Sequence, residues 1–160
     1  MVGKGGRWHV ASGAEKAKSV LSERATRYDS RGTIVEQRAD IGLIGLAVMG
    51  QNLVMNMNDH GFRVAVYNRS RERTEAFLSG PAAGSNVIGT YSLEGLVASL
   101  AKPRRVMLMV RAGTVVDAII AQLLPLLEAG DIIIDGGNSL FTDSDRRAEE
   151  LAQRDIHFIG

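Results

Sequence analysis

Ala39-Asp40-Ile41-Gly42-Leu43-Ile44-Gly45-Leu46-Ala47-Val48-Met49-Gly50-Gln51-Asn52-Leu53 decides how the rest of the chain is read. A short apolar run from Ile41 to Ile44 meets Gly45-x-Ala47-x-x-Gly50, and helical spacing continues through Leu53, Val54 and Met57. The pattern is strand, tight turn, helix. Such a turn suits a dinucleotide's pyrophosphate. Gly45 makes the turn, the small Ala47 lets the backbone approach the phosphates, and Gly50 lets helix and strand pack closely. The phosphates then rest on the unpaired N–H groups and positive dipole end of the helix, which makes Gly45, Leu46, Ala47, Val48, Met49 and Gly50 the candidate loop. The competing reading is an ordinary strand–helix turn, so the surroundings have to decide.

Downstream, strands and helices alternate. Asp59-His60-Gly61 stops the first helix, with Gly61 suited to a left-handed position and His60 read as a cap. Phe62 to Tyr67 alternates as a second strand, Asn68-Arg69-Ser70 follows, and a helix covers about Arg71 to Leu78. After the loop Gly80 to Gly84, a short strand is expected over Val87 to Tyr91, then a helix capped by Ser92 and running to Leu100. Arg105 to Val110 and Asp131 to Asp135 are near-continuous apolar runs, the mark of strands buried on both faces. Helices are expected over Thr114 to Leu127, with Pro125 distorting the last turn, and over Thr142 to Arg154; Ile156 to Ile159 closes as a strand. The order predicts an α/β fold, a doubly wound parallel sheet of Rossmann type forming a single domain over 39–160. In such sheets ligands bind beyond the carboxyl ends of the strands, and Gly45–Gly50, Asn68–Ser70, Val110–Ala112 and Gly136–Ser139 all fall at that edge.

Residues 1–38 differ: they are rich in Lys, Arg, Gly and Ser, with one short helix expected around Ala14 to Thr26. No apolar segment of a secretory signal is present, and Glu15, Glu23, Asp29 and Glu36 argue against an organelle-targeting peptide. The stretch reads as a flexible extension, or as residues wrongly assigned to the protein, with translation starting near Val35.

The 160 residues are 45% hydrophobic and 23% charged, the composition of a globular domain with its own core. A net charge of +1 points to no nucleic acid, and no apolar run approaches the ~20 residues of a membrane span. Cysteine is absent, which removes disulfides and thiolate chemistry and fits a cytoplasmic location. His9, His60 and His157 lie too far apart for a metal-ligand pattern.

The end of the second strand selects the cofactor. An NAD site places Asp or Glu there for the ribose 2′-hydroxyl. Here Asn68, Arg69 and Ser70 occupy the position. A carboxylate would repel a 2′-phosphate, whereas an arginine fork pairs with it, so NADP is expected over NAD. Against this, Arg69 is also readable as one more solvated charge beside Arg71 and Arg73. Val110, Arg111 and Ala112 give close backbone access to a ribose or nicotinamide, although Gly113 serves equally as the start of the next helix. Asp135-Gly136-Gly137-Asn138-Ser139 is the most unusual run: paired glycines allow positive φ and close approach, and the Asn138 amide offers donors and an acceptor. Asp135 is read as a partner for backbone amides, and Ser139 lacks the company of a hydrolytic nucleophile.

Residues 45–53, 68–70, 110–113 and 135–139, in that order and spacing, make the stretch from about 40 to 160 resemble the 6-phosphogluconate dehydrogenase family, the decarboxylating enzymes of the pentose phosphate pathway. The resemblance implies that Gly45 through Gly50 hold the NADP pyrophosphate and that Asn68, Arg69 and Ser70 hold its 2′-phosphate end. It implies too that Val110 to Ala112 line the cofactor and that Asn138 touches both nicotinamide and 6-phosphogluconate. Ser70 stands where the family usually has Thr, and Arg111 where it has Lys. The family's sequences continue past Phe158-Ile159-Gly160 into a Ser-Gly-Gly substrate loop, a lysine base, a glutamate acid and a large helical domain. The resemblance therefore implies a cofactor-binding part without catalytic residues, inactive alone and exposing apolar surface. Its implied partners are a second copy, as in a full-length homodimer, or a separate catalytic half. Two other readings stay open: another β-hydroxyacid dehydrogenase, a class that tends to carry Asp-x-Ser-Thr where Asp135-Gly-Gly-Asn-Ser stands, and a non-catalytic NADP-binding module.

Overall fold

The computed structural model describes residues 26–28, 34–36 and 38–160. Contacts divide the chain between Gln37 and Arg38. In the first part, β1 (Thr26–Tyr28) and β2 (Ile34–Glu36) pair antiparallel with Arg27 opposite Val35; the sequence suggested no strand there. The short helix expected around Ala14 to Thr26 lies, up to its last residue, outside the described residues.

The second part alternates as its apolar patterning dictates. Its strands are β3 (Ile41–Ile44), β4 (Val64–Tyr67), β5 (Ile88–Thr90), β6 (Arg105–Leu108), β7 (Ile132–Asp135) and β8 (His157–Ile159). Between them run α1 (Val48–Asp59), α2 (Arg71–Ser79), α3 (Leu93–Ala98), α4 (Thr114–Leu123) and α5 (Phe141–Ala152). The punctuation is chemical. Ser70 and Ser92 cap α2 and α3 by accepting the N–H groups of Arg73 and Gly95. His60 closes α1 with its Nδ1 2.8 Å from the Asn56 carbonyl, and Gly61 follows at φ +88°. Several expected ends move inward. The helix projected to Leu127 stops at Leu123, because Pro125 has no N–H to continue the ladder. The strand projected to Val110 stops at Leu108, where the chain leaves the sheet to form a loop.

All six strands of this sheet are parallel, in the order β5-β4-β3-β6-β7-β8. The chain begins the sheet in the middle, winds outward one way to β5, then returns to β3 and winds out the other way from β6. The crevice between β3 and β6 is where such sheets take ligands. Register makes the edge definite: Thr90, Tyr67, Ile44, Leu108 and Asp135 stand side by side at the carboxyl ends.

Strand alternation sends residues to two cores. Leu43, Val64 and Val66 pack with Val54 of α1 and Phe77 of α2 on one face. Ile44, Ala65, Val106, Leu108 and Ile133 pack with Leu96, Val116, Ile120 and Leu151 on the other. Burial on both faces explains the continuous apolar runs. Leu140, Phe141 and Ile159 remain more than half exposed. Among the described residues no helix is long and apolar enough to cross a membrane.

Candidate functional site

The chain leaves β3 at Gly45 with φ +107°. The Gly45 N–H donates to the Tyr67 carbonyl at 3.0 Å, and the Met109 N–H donates to the Ile44 carbonyl at 2.8 Å, so the turn is pinned to both neighbouring strands. A Cβ on Gly45 would lie 2.3 Å from the Met109 carbonyl oxygen, and one on Gly50 would lie 2.1 Å from the Gly45 carbonyl oxygen. Both distances are impossible. Glycine is needed at Gly45 for its φ and its nearness to β6, and at Gly50 so that α1 can cross the turn. Ala47 enters α1 with an extended backbone and no side-chain cap, and the first turn of α1 carries no acidic residue. Helix geometry leaves the leading N–H groups without acceptors, and an anion is what completes such an end.

At the end of β4, Asn68 acts as a brace. Its Oδ1 accepts the Leu46 N–H at 3.1 Å and its Nδ2 donates to the Ser70 carbonyl at 3.2 Å. Leu46 is fully buried, so with its N–H engaged it supports the loop from beneath. Ser70 Oγ accepts from the Arg73 N–H at 3.3 Å and donates to Glu72 at 2.8 Å. Of Arg69, Arg71 and Arg73, only Arg69 lines the cleft. It is exposed and makes no ion pair with any described residue. Arg71 is turned away, held by Glu75 at 2.8 Å and lying 4.5 Å over the Tyr91 ring.

Two hollows meet along the carboxyl edge. One, of about 710 Å³, is lined by Gly45, Tyr67, Asn68, Arg69, Val110, Arg111 and Thr114 among others. The second, of about 600 Å³, is lined by Ala47 to Gly50, Met109 to Ala112, and Gly136 to Asn138. Val110 and Arg111 border both, so the pair forms one elongated cleft across the β3–β6 crevice. Gly113, at φ +89°, is the N-terminal flank of α4 and directly follows the lining residues Val110 to Ala112. All four loops singled out in the sequence reach this cleft.

The loop after β7 departs from expectation in one respect. Neither Gly136 nor Gly137 adopts positive φ. They allow close approach instead: a Cβ on Gly136 would lie 2.6 Å from Met109 Sδ, so that side chain would have to shift, and one on Gly137 would lie a tight 3.1 Å from the Val110 carbonyl. Asp135 accepts the Gly137 N–H at 3.1 Å and the Ser139 hydroxyl at 2.5 Å, the amide-partner role expected of it. Asn138 is exposed on the wall of the second hollow.

Sequence reasoning missed Arg147. Read as part of a polar helix, it is 1% exposed. Its Nη1 lies 3.3 Å from Asp135 Oδ2 and 3.1 Å from Ser139 Oγ, its Nη2 3.1 Å from the Gly113 carbonyl, and its Nε 2.8 Å from Asp117 Oδ1. Hydrogen bonding from Arg147 holds the Asp117 carboxyl below its ordinary range, against the upward push of burial. A signal was present in the sequence: Ser144, Arg147, Ala148 and Leu151 share one helical face. Asp135, on a doubly buried strand, also needs a cation.

The cleft's chemistry is one-sided. It offers backbone N–H groups, amides, hydroxyls and the cations Arg69 and Arg111, which suits anionic groups. No His, Lys, Asp or Glu is among its lining residues.

Residues 40–160 match the family model described as the NAD binding domain of 6-phosphogluconate dehydrogenase. The chain is 63% identical over 123 residues to the decarboxylating 6-phosphogluconate dehydrogenase of Haemophilus influenzae, covering 77% of this chain and 25% of that protein. It is 54% identical over 142 residues to the Candida albicans enzyme, covering 89% and 27%. The chain thus spans about a quarter of the length of these relatives. Plasmodium falciparum 6-phosphogluconate dehydrogenase, solved in its apo form and with NADP+ or 6-phosphogluconate, superposes with a TM-score of 0.70 at 46% identity, over 74% of this chain and 26% of that one. A reductive aminase from Aspergillus terreus shares the fold at 16% identity and a TM-score of 0.59, over 76% and 39%. Glycine loop, Asn-Arg-Ser, small-residue strand end and Asp-Gly-Gly-Asn-Ser loop, matched from residue 40 onward, place this chain in the 6-phosphogluconate dehydrogenase family, as its NAD-binding domain.

Proposed function

We propose that residues 39–160 bind NADP as the cofactor part of a 6-phosphogluconate dehydrogenase, with residues 1–38 outside the binding domain. The whole enzyme's reaction is the oxidative decarboxylation of 6-phosphogluconate to ribulose 5-phosphate. The observation that carries the reading is Arg69, a cation with no ion pair among the described residues, lining the cleft where an NAD site would hold a carboxylate.

In this reading the leading N–H groups of α1, from Ala47 to Gly50, hold the pyrophosphate. Arg69 pairs with the 2′-phosphate, while Asn68 and Leu46 keep the loop in shape and Ser70, whose hydroxyl caps α2, presents its backbone N–H. Val110, Arg111 and Ala112 line the middle of the cofactor, and Asn138 faces the nicotinamide end, where its amide also suits a hydroxyl of the sugar acid. The nicotinamide, when bound, supplies a hydride acceptor. Oxidising an alcohol also requires a base for the hydroxyl proton. Arg69 and Arg111 cannot serve, since a guanidinium does not give up its proton in proteins. Asp135 is already engaged by Arg147, Ser139 and Gly137. Among the described residues the cleft therefore offers no base, so in this reading the chain alone binds without turning over, and the base comes from a further segment, a second copy or a separate polypeptide.

The test is a turnover assay of the purified chain with 6-phosphogluconate and NADP, alongside a thermal-shift measurement with NADP. Stabilisation by NADP without formation of reduced cofactor is expected. Reduced cofactor would place a base within these 160 residues.

A further inference from the structure

The second hollow is walled by three loops, and two of them converge on a residue that does not line it. Arg147 reaches Asp135 and Ser139, which bracket Gly136 to Asn138, and the carbonyl of Gly113, which ends the Val110–Ala112 segment. Asp117 of α4 fixes the remaining edge of the guanidinium. The planar fork thus spans α5, α4 and both loops at once, a geometry that a point-charge ammonium cannot reproduce. The other end of the cleft is built differently. Asn68 braces the glycine loop there, and none of its contacts involves Arg147.

We infer that Arg147 is the positioning residue for the nicotinamide half of the cofactor site, setting the distance between the Val110–Ala112 and Gly136–Asn138 walls while leaving the adenine half to Asn68 and Arg69. The inference rests on the NADP reading of the cleft. It assigns to a buried arginine a role in ligand affinity that acts through backbone, not by touching ligand.

Calorimetry on the full chain with two probes separates the halves. NADP occupies the whole cleft, and 2′,5′-ADP carries the adenine and 2′-phosphate without the nicotinamide. In Arg147→Lys, NADP affinity is expected to fall about ten-fold or more, the loss of a charge-assisted hydrogen-bond set, while 2′,5′-ADP affinity stays within about two-fold. Ser139→Ala, which removes the hydroxyl between Arg147 and Asp135, shifts the two probes in the same selective direction by a smaller factor. It carries the test if Lys at position 147 fails to give a folded chain by circular dichroism. Equal losses for both probes would overturn the inference in favour of a general structural role, and so would unchanged NADP affinity. Failure of the unaltered chain to bind either probe would overturn the NADP reading itself, and the inference with it.

Discussion

Arg104 and Arg147 are both buried cations tied to carboxylates of one parallel sheet, at its opposite ends. Arg104 precedes β6 and pairs with Asp131, just before β7, through its N–H at 2.7 Å and its Nη1 at 2.8 Å. Asp131 also accepts the Glu128 N–H at 2.9 Å. Everything there closes one corner at the amino edge. Arg147 sits at the carboxyl edge, and its partners belong to three different segments, two of which wall the cleft. A buried ion pair therefore says little about function by itself. What matters is which edge of the sheet it secures, because in this topology ligands meet the carboxyl ends.

The largest expected effects come from breaking each pair. Arg147→Met and Arg104→Met each leave a buried carboxylate without its cation, at a cost of about 3–5 kcal/mol measured by urea denaturation. Their consequences for binding should differ. Folded Arg104→Met is expected to keep NADP affinity, and Arg147→Met to lose it in calorimetric titration. Equal binding losses would erase the distinction between the edges.

Glycines sharpen the same contrast. Gly50→Ala puts a methyl 2.1 Å from the Gly45 carbonyl, so the phosphate loop must move; overpacking of about 1–3 kcal/mol and at least about ten-fold weaker NADP binding are expected. Gly130, at the amino edge, has φ +88° and open space where its Cβ would stand. Gly130→Ala should cost about 1–2 kcal/mol in thermal unfolding through backbone strain, with binding intact.

Within the carboxyl edge, Arg69→Ala removes the cation assigned to the 2′-phosphate. NADP affinity should fall about 10- to 100-fold while NAD affinity barely moves, as read by paired titrations. A parallel fall for NAD would mean that Arg69 contributes only general charge.

The smallest difference is in acid. Burial pushes the Asp131 carboxyl up, but the Glu128 N–H and the Arg104 side chain and N–H outweigh it and hold it below its ordinary 3.8. Asp117 is likewise lowered, chiefly by Arg147. A lowered carboxylate adds stability above its unfolded value, and that stability is lost as pH falls through the folded value. Stability to thermal unfolding should therefore decline as the pH drops below about 3.8. Asp131→Asn should flatten that decline more than Asp117→Asn, whose side chain is 36% exposed and more screened.

The fold was legible because its signals are local. Continuous apolar runs at 105–110 and 131–135 announce strands buried on both faces, and Gly45 and Gly50 announce the turn between β3 and α1. Site residues were legible as far as they follow strand ends. Asn68 shows the limit. Its position placed it at the 2′-phosphate end of the cofactor, and it lines the cleft there, but its amide also braces Leu46 and Ser70, the former a partnership 22 residues apart that no spacing rule exposes. Arg147 was missed for a different reason, despite the helical face it shares with Ala148 and Leu151. Polar residues on a helix normally face water, and partners on other elements, Asp117, Asp135, Ser139 and the Gly113 carbonyl, hold this one inward. Pro125 was seen as a distortion near the helix end but not as the reason the helix stops at Leu123, since helix ends depend on the hydrogen bonds actually formed.

The carboxyl edge is proposed to bind NADP, and no His, Lys, Asp or Glu lines its cleft to act as a base. Calorimetric titration of the purified chain with NADP and with NAD tests the cofactor preference most directly, with turnover of 6-phosphogluconate followed on the same preparation. Saturable NADP binding, at least about ten-fold weaker NAD binding and no turnover are the predicted results. Equal affinity for the two cofactors, or turnover by the chain alone, would contradict it.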